Sequence, residues 1–136
     1  MFNSRTISLI FLILFVRTAL SDDVSNPCKE IEASSQIALC AQYNKEQSDA
    51  LLNSSYKATL DRIRLQYRNS PLLADQYISL LKTAQREWID LRDADCKLEA
   101  FEIEETAEAY HVTIDNCIAK MSDDRADYLN RIAPDI

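Results

Sequence analysis

Glycine is absent from all 136 residues of the chain. Phosphate-binding loops and dinucleotide-binding fingerprints need glycine, because their backbone approaches the ligand where a Cβ would clash. Tight hairpin turns also favour glycine, so its absence argues against a hairpin-rich β fold. The sequence therefore excludes the glycine-dependent nucleotide-binding classes and favours a helical protein.

Proline and histidine are also scarce. None of the three prolines, Pro27, Pro71 and Pro134, interrupts a long periodic segment. A Ser/His/Asp triad would have to use His111, the single histidine, and no nucleophile-elbow sequence accompanies it. His111 forms one Glu-x-x-His pair with Glu108, whereas di-iron bundles need two such motifs and further glutamates. We therefore predict a protein that is not an enzyme and holds no metal or cofactor.

Positive charge is in short supply as well. The chain has 15 basic and 22 acidic residues, and its net charge of −7 becomes −9 if Arg5 and Arg17 are removed with the leader described next. Nucleic acids and anionic membranes are poor partners, because binding phosphates requires a basic surface. A cationic protein partner is compatible, since opposite charges speed encounter.

Residues 1–21 have the pattern of a secretory signal peptide. Arg5 precedes an apolar run over 7–16, and small residues occupy the −3 and −1 positions of a cleavage after Ser21. This run is too short to be a membrane span, which needs roughly 20 apolar residues. We expect no membrane anchor after cleavage, a periplasmic or secreted location, and a single domain over 22–136.

The even number of cysteines predicts two disulfides in an exported chain. All four lie in the expected mature chain: Cys28, Cys40, Cys96 and Cys117. Four cysteines allow three connectivities, of which we prefer nearest-neighbour pairing. In one straight helix Cys96 and Cys117 would lie about 31 Å apart, whereas a disulfide needs Cα atoms within about 7 Å. This pairing therefore requires chain reversals near residues 33–35 and between residues 99 and 108.

Apolar residues recur at helical spacing in three segments, over about 35–68, 71–98 and 106–131. Ser34 or Ser35 is the expected cap of the first helix. The second is expected to have Ser70 as its cap and Pro71 in its first turn, with an apolar stripe formed by Leu73, Tyr77, Leu80, Ala84, Trp88 and Leu91. We predict an all-α fold, with a short N-terminal helix and a three-helix, mostly antiparallel bundle.

Two polar segments are candidate sites. Gln85, Arg92 and Asp95 lie three, four and seven residues from Trp88, so they either form a recognition patch or brace the bundle near a disulfide, which we favour. The second segment is acidic and comprises Glu99, Glu102, Glu104, Glu105 and Glu108. It lacks the Asp-x-Asp-x-Asp-Gly pattern of a calcium loop. A solvated surface is the expectation, and a basic protein partner is the alternative.

Three motifs together resemble the LprI-type lysozyme-inhibitor N-terminal domain family. They are Asp49-x-x-Leu52-Asn53-x-x-Tyr56, Gln85-x-x-Trp88-x-x-x-Arg92-Asp93-x-x-Cys96, and Cys117-Ile118-x-x-Met121-x-x-x-Arg125-Ala126-x-x-Leu129. The resemblance covers residues 28–129 and implies a small, exported, helical, cysteine-bridged protein. It brings no catalytic residues. We expect structural roles for its polar and aromatic positions: Gln85, Trp88, Arg92, Asp93 and Arg125.

The resemblance and the acidity together favour a non-enzymatic exported binding protein, with lysozyme inhibition as the candidate activity. The expected partner is a cationic lysozyme or another enzyme that acts on the cell wall. One alternative is an immunity or accessory protein that neutralises a toxin targeted to the envelope. Others are a structural protein of the envelope and a cell-wall enzyme. Unlike many family members, this chain has an acidic, glycine-free stretch between its last two cysteines.

Overall fold

A computed structural model of the chain describes residues 26–134, where all regular structure is helical. The helices are α1 (Ser34–Gln66), α2 (Pro71–Glu99) and α3 (Glu108–Asn130). The all-α class, three long helices and two disulfides are thus confirmed. No helix within the described range is both long and apolar enough to cross a membrane. The predicted signal peptide and its cleavage site lie outside the described residues.

The start of α1 differs from the prediction. Ala33, rather than Ser34 or Ser35, occupies the cap position, with extended backbone and no side-chain cap bond. The Gln36 side chain takes over part of the capping, because its Oε1 accepts hydrogen bonds from the backbone N–H groups of Ala33 (2.8 Å) and Glu32 (2.6 Å). Residues 26–33 form turns and irregular structure. Any earlier part of the predicted short N-terminal helix falls outside the described residues.

The start of α2 agrees with the prediction. Pro71 is the first helical residue and Ser70 precedes it at the cap position. Proline suits this place because an N–H group there would have no partner within the helix. The Ser70 side chain makes no cap bond; instead, its backbone carbonyl accepts from the N–H groups of Leu73 (3.0 Å) and Ala74 (3.1 Å).

The chain runs up, down and up, so α2 is antiparallel to both α1 and α3. Contacts between α1 and α3 advance together along both helices, from the Lys45–Asp115 ion pair to the bond from Thr59 to the Leu129 carbonyl. The two disulfides pair nearest neighbours as preferred, Cys28 with Cys40 and Cys96 with Cys117. The chain reverses in the expected 99–108 region. The core contains Leu52, Ile63, Ile78, Leu81, Ala126, Leu129 and Ala133.

The predicted apolar stripe of α2 is wrong in phase. The buried residues are its neighbours Ala74, Ile78, Leu81, Gln85 and Cys96. Leu73, Leu80 and Leu91 are exposed, whereas Tyr77 and Trp88 pack half-buried against the core. The helix carries two apolar stripes side by side, and periodicity does not distinguish them. Residues of α1 and α3 determine which stripe faces inward, because they form hydrogen bonds with the polar residues of that stripe.

The C-terminal end of α3 is held by a side chain from α1. Arg62 donates hydrogen bonds to the backbone carbonyls of Leu129 (2.8 Å), Ile132 (3.2 Å) and Ala133 (3.1 Å). The last carbonyls of a helix lack N–H partners, and its negative dipole end favours a cation. Ala133 has a φ of 46°, a left-handed conformation that glycine adopts more readily. Arg62 therefore stabilises a helix end that the chain closes without glycine.

Replacing Arg62 with alanine is expected to lower the free energy of unfolding by about 2 kcal/mol, because hydrogen bonds from a charged group contribute about 1.5–3 kcal/mol. Urea denaturation followed by circular dichroism measures this loss. Arg64→Ala is the matched control: Arg64 pairs with Asp61 on the exposed surface, so its removal should cost less than about 0.5 kcal/mol. Equal losses for the two variants would contradict the capping role.

Candidate functional site

Two groups of residues contain the polar side chains that the sequence singled out. The first, here called the Trp88 cluster, comprises Gln85, Trp88, Arg92, Asp93 and Arg125 together with Asp49 and Ser122. The second, here called the acidic loop, covers residues 99–108, from the last residue of α2 to the first residue of α3. The structure thus brings all five polar and aromatic motif residues into one cluster, although Arg125 is distant from the others in sequence.

Arg92 connects all three helices. Its Nη1 lies 3.1 Å from Asp49 Oδ1 on α1 and 3.1 Å from Ser122 Oγ on α3, and its Nε donates to Asp93 Oδ1 at 2.9 Å. Ser122 is fully buried and donates to Asp49 at 2.9 Å, which closes a triangle with Arg92. The polar atoms at this crossing are therefore paired with one another, as burial requires.

Arg125 is the second arginine that contacts Trp88. Its Nε donates to Gln85 Oε1 at 3.0 Å, and its guanidinium carbon lies 5.4 Å from the Trp88 ring centre and 4.9 Å from that of Tyr128. The Arg92 guanidinium carbon lies 5.5 Å from Trp88. Two cations therefore contact one indole ring, whose π-face attracts positive charge.

Partial burial lowers the pKa of Arg125 from its ordinary value, and the neighbouring Tyr128 opposes this shift. Desolvation disfavours the charged form of a base, so the direction reflects the packing of Arg125 between two aromatic rings. The ordinary pKa of arginine is so high that the side chain stays cationic at neutral pH. Its contact with Trp88 is therefore a cation–π contact under physiological conditions.

Asp49 and Ser122 complete the cluster, and sequence reasoning gave them no role in it. Asp49 stands in the first motif, but nothing in the sequence shows that it meets Arg92. Nothing in the sequence singled out Ser122, because serine is common on helices. Its role depends on the register of the helices, which places it in the buried region where they cross. Asp95, in contrast, is exposed and lies outside the cluster.

The acidic loop presents an aromatic side chain among carboxylates. Phe101 is 83% exposed, and the glutamates at 99, 102, 104, 105 and 108 are all exposed. The loop is anchored by Ala100, which is fully buried, and by a hydrogen bond of 3.0 Å from the Ile103 N–H to the Ala100 carbonyl. The Cys96–Cys117 disulfide joins the helices on either side. The exposed side chains of the acidic loop therefore extend from a turn that is held in place by these contacts.

The histidine motif stays isolated in the structure. Glu108 and His111 are both exposed, and His111 packs edge-on against the ring of Tyr110. Across residues 26–134, no group of three or more histidine, cysteine or acidic side chains is placed to hold a metal ion. The arrangement around His111 is that of a histidine on a helix surface.

Over residues 26–134, these features define a disulfide-bridged, three-helix protein whose polar cluster joins its helices and whose acidic loop faces solvent. The chain belongs to the family described as lysozyme inhibitor LprI, whose model matches residues 26–129. It is also similar to the crystal structure of a DUF1311 family protein from Pseudomonas putida KT2440. The two share 33% identity with a TM-score of 0.68, over 79% of this chain and all of that one. No curated protein sequence matches the chain.

Proposed function

We propose that this protein is exported, is not an enzyme, and inhibits a cationic lysozyme by binding it through the acidic loop. The family description supports the activity, and the exposure of Phe101 among glutamates is the observation that carries the choice of surface. We further propose that residues 1–21 direct export and are removed, which leaves the mature chain in the periplasm or outside the cell. The two disulfides are compatible with such an oxidising compartment.

The acidic loop combines the two contributions that an interface with a cationic protein needs. Its glutamates attract the partner, which increases the association rate. Phe101 supplies an apolar anchor of the kind that dominates binding energy when it is buried in a partner's pocket. The anchored Ala100 and the nearby disulfide restrict the loop before binding, so less conformational entropy is lost when the complex forms.

The Trp88 cluster, in this proposal, maintains the fold and does not contact the partner. Arg92 is mostly buried, and its charge is already paired with Asp49 and Asp93. Arg125 is bonded to Gln85 and packed against Trp88. These groups have their partners within the bundle, whereas the carboxylates of the acidic loop face solvent and are available to a basic surface.

The test is a titration of the oxidised protein against lysozymes of several types, with binding and cell-wall lysis followed at low and moderate salt. We expect stoichiometric, saturable inhibition that persists at moderate salt. Phe101→Ala should weaken inhibition at least about tenfold, as expected for an anchor residue. Reversing three charges of the loop, by replacing Glu102, Glu104 and Glu105 with lysine, should abolish it.

The control reverses three exposed carboxylates away from the loop, by replacing Asp75, Asp123 and Asp127 with lysine. Both triple variants change the net charge equally, so an effect of overall charge would appear in both. Loss of inhibition in the loop variant alone would support the acidic loop as the binding surface. Absence of inhibition with every lysozyme would overturn the proposed activity, and full inhibition by the loop variant would overturn the proposed surface.

A further inference from the structure

Arg125 differs from the other half-buried cations of residues 26–134 in how its charge is paired. These others are Lys45, Arg62 and Arg92. Lys45 pairs with a carboxylate, Arg62 with backbone carbonyls, and Arg92 with two carboxylates. Arg125 forms no ion pair within this range, and only its Nε donates a hydrogen bond, to Gln85. Both of its Nη groups therefore have no acceptor among the described residues.

The two Nη groups of Arg125 are not fully buried. Within the part of the chain that the structure describes, no buried polar side-chain atom lacks a hydrogen-bond partner, so nitrogens without a partner must be accessible. Arg125 lines a pocket of about 220 Å³, here called the Arg125 pocket. Its other lining residues are Trp88, Met121, Asp124 and Tyr128. An anion in this pocket can therefore reach N–H donors that the bundle leaves unused.

The guanidinium of Arg125 is held in position by the bundle. Its Nε donates to Gln85 Oε1 at 3.0 Å, and its carbon lies 5.4 Å from the Trp88 ring centre and 4.9 Å from that of Tyr128. Gln85 is itself buried, so the acceptor does not move freely. A ligand that binds here therefore orders little that was mobile, and less conformational entropy is lost on binding.

Partial burial also deprives this cation of hydration. It lowers the pKa of Arg125, which shows that the charged form is less favoured here than in water. A negative charge within about 4–6 Å favours the charged form. An anion next to the Nη groups would therefore replace part of the lost hydration, as carboxylates do for Arg92.

We propose that the Arg125 pocket binds the carboxylate of a small ligand that has a short apolar body. A carboxylate is planar and accepts two parallel hydrogen bonds from a guanidinium, here one from each Nη group. Trp88, Met121 and Tyr128 supply aromatic and thioether surface, which suits an apolar body. Charge, geometry and lining thus agree on one class of ligand.

Asp124 restricts the charge of the ligand. It is exposed, lines the pocket beside Arg125, and forms an ion pair with Lys120 on the open surface. A phosphate carries about two negative charges at neutral pH, and the second would be repelled by this carboxylate. The volume of the pocket is below the roughly 300–1,000 Å³ of sites for drug-sized ligands. A short acid with a single charge therefore fits best.

The Arg125 pocket is separate from the acidic loop. Arg125 lies about 25 Å along α3 from Glu108, at a rise of about 1.5 Å per residue. The proposed carboxylate ligand is therefore distinct from the lysozyme partner, and its binding does not depend on the inhibitor activity.

Tryptophan fluorescence tests the proposal, because Trp88 is the single tryptophan of the chain and lines the pocket. The probes are sodium butyrate, a free short acid, and N-acetylalanine, whose carboxylate resembles the C-terminus of a peptide. N-acetylalanine amide is the neutral control, and sodium chloride controls for ionic strength. We expect a saturable change with the acids and none with the two controls. The acid that binds more tightly identifies the source of the carboxylate, a free acid or a chain end.

Two substitutions in the pocket should change the affinity in opposite directions. Arg125→Lys should weaken binding of the better acid at least about tenfold, because lysine keeps the charge but loses the two parallel donors. Asp124→Asn should tighten binding about two- to threefold, because it removes a neighbouring negative charge. The matched control is Asp123→Asn, which changes the net charge equally but lies in the groove between α1 and α3. It should leave the affinity unchanged.

Thermal melts establish that each variant folds. Asp124 is exposed, so Asp124→Asn keeps the test valid even if Arg125→Lys is unstable. The proposal fails if neither acid gives a saturable change, or if the neutral amide binds as tightly as the acids. It also fails if a folded Arg125→Lys protein binds with undiminished affinity, or if Asp123→Asn tightens binding as much as Asp124→Asn does.

Discussion

Replacing Arg92 with alanine is expected to lower the free energy of unfolding by about 3 kcal/mol, because removing one partner of a buried ion pair costs about 3–5 kcal/mol. The Arg92 side chain is 11% exposed and bonds to Asp49 on α1 and Ser122 on α3, so its loss removes bonds that join α2 to both other helices. The expected loss lies at the lower end of this range because the Asp49 side chain is 39% exposed. Water therefore solvates part of the charge that is left without its partner.

A double-mutant cycle with Asp49→Ala separates the pairing of the two charges from the packing of the Arg92 side chain. We expect a coupling energy of about 1–2 kcal/mol from urea denaturation of the four proteins. Lys120→Ala is the control, since Lys120 pairs with Asp124 on the open surface and its loss should cost less than about 0.5 kcal/mol. Additive effects of the Arg92 and Asp49 substitutions would show that this ion pair contributes no stability.

The same Arg92→Ala variant distinguishes structural support from partner binding. Below its melting temperature, the folded variant should inhibit lysozyme as the unmodified protein does, because the acidic loop remains intact. Weakened inhibition by a fully folded Arg92→Ala protein would instead place the Trp88 cluster in the binding surface.

The helices were predictable because local chemistry determines them. Pro71 and the preceding Ser70 mark the start of α2 in the sequence, and the helix begins there. The start of α1 was harder, because Gln36 performs the capping with a side chain three residues inside the helix. Serine is a common N-cap residue, so the sequence favoured Ser34 or Ser35. Nothing nearby in the sequence shows that Ala33 takes this position and that the Gln36 side chain pairs with its N–H group.

The inward face of α2 was not predictable from periodicity. Leu80 and Leu81 are neighbours, and either could lie on an apolar stripe. Leu81 is the buried one because it shares a face of α2 with Gln85. Gln85 is also buried and bonds to Arg125 of α3. A glutamine in a core is unfavourable unless its polar atoms are paired. Here the partner comes from another helix, so the sequence of α2 alone does not reveal it.

The sequence identified most residues of the candidate site but not the contacts between them. The motifs contained Trp88, Arg92 and Arg125, which the structure brings together. Ser122 and the capping residue Arg62 were missed, because their contacts depend on the register between α1 and α3, whose contacting residues are far apart in the chain. The reversal between Cys96 and Cys117 followed from disulfide geometry, but the outward position of Phe101 depends on the burial of Ala100.

Removing the Cys96–Cys117 disulfide, by replacing both cysteines with alanine, is expected to lower the free energy of unfolding by about 3 kcal/mol. The bond closes a segment with a sequence separation of 21 residues, and cross-linking restricts the unfolded chain accordingly. Both cysteines are buried between α2 and α3, so these helices hold the ends of the segment in the folded state. The loss of entropy in the unfolded chain therefore appears almost fully as stability.

The Cys28–Cys40 disulfide is the matched control, and its removal should cost less than about 1 kcal/mol although its separation of 12 residues predicts a similar effect on the unfolded chain. Residues 26–33 are exposed or half-buried turns, so cutting this bond also frees the folded state, and the two gains in entropy offset each other. Thermal and urea denaturation of the two double-alanine variants measures the difference. Equal losses would show that residues 26–33 are held as firmly as α3, and that argument would fail.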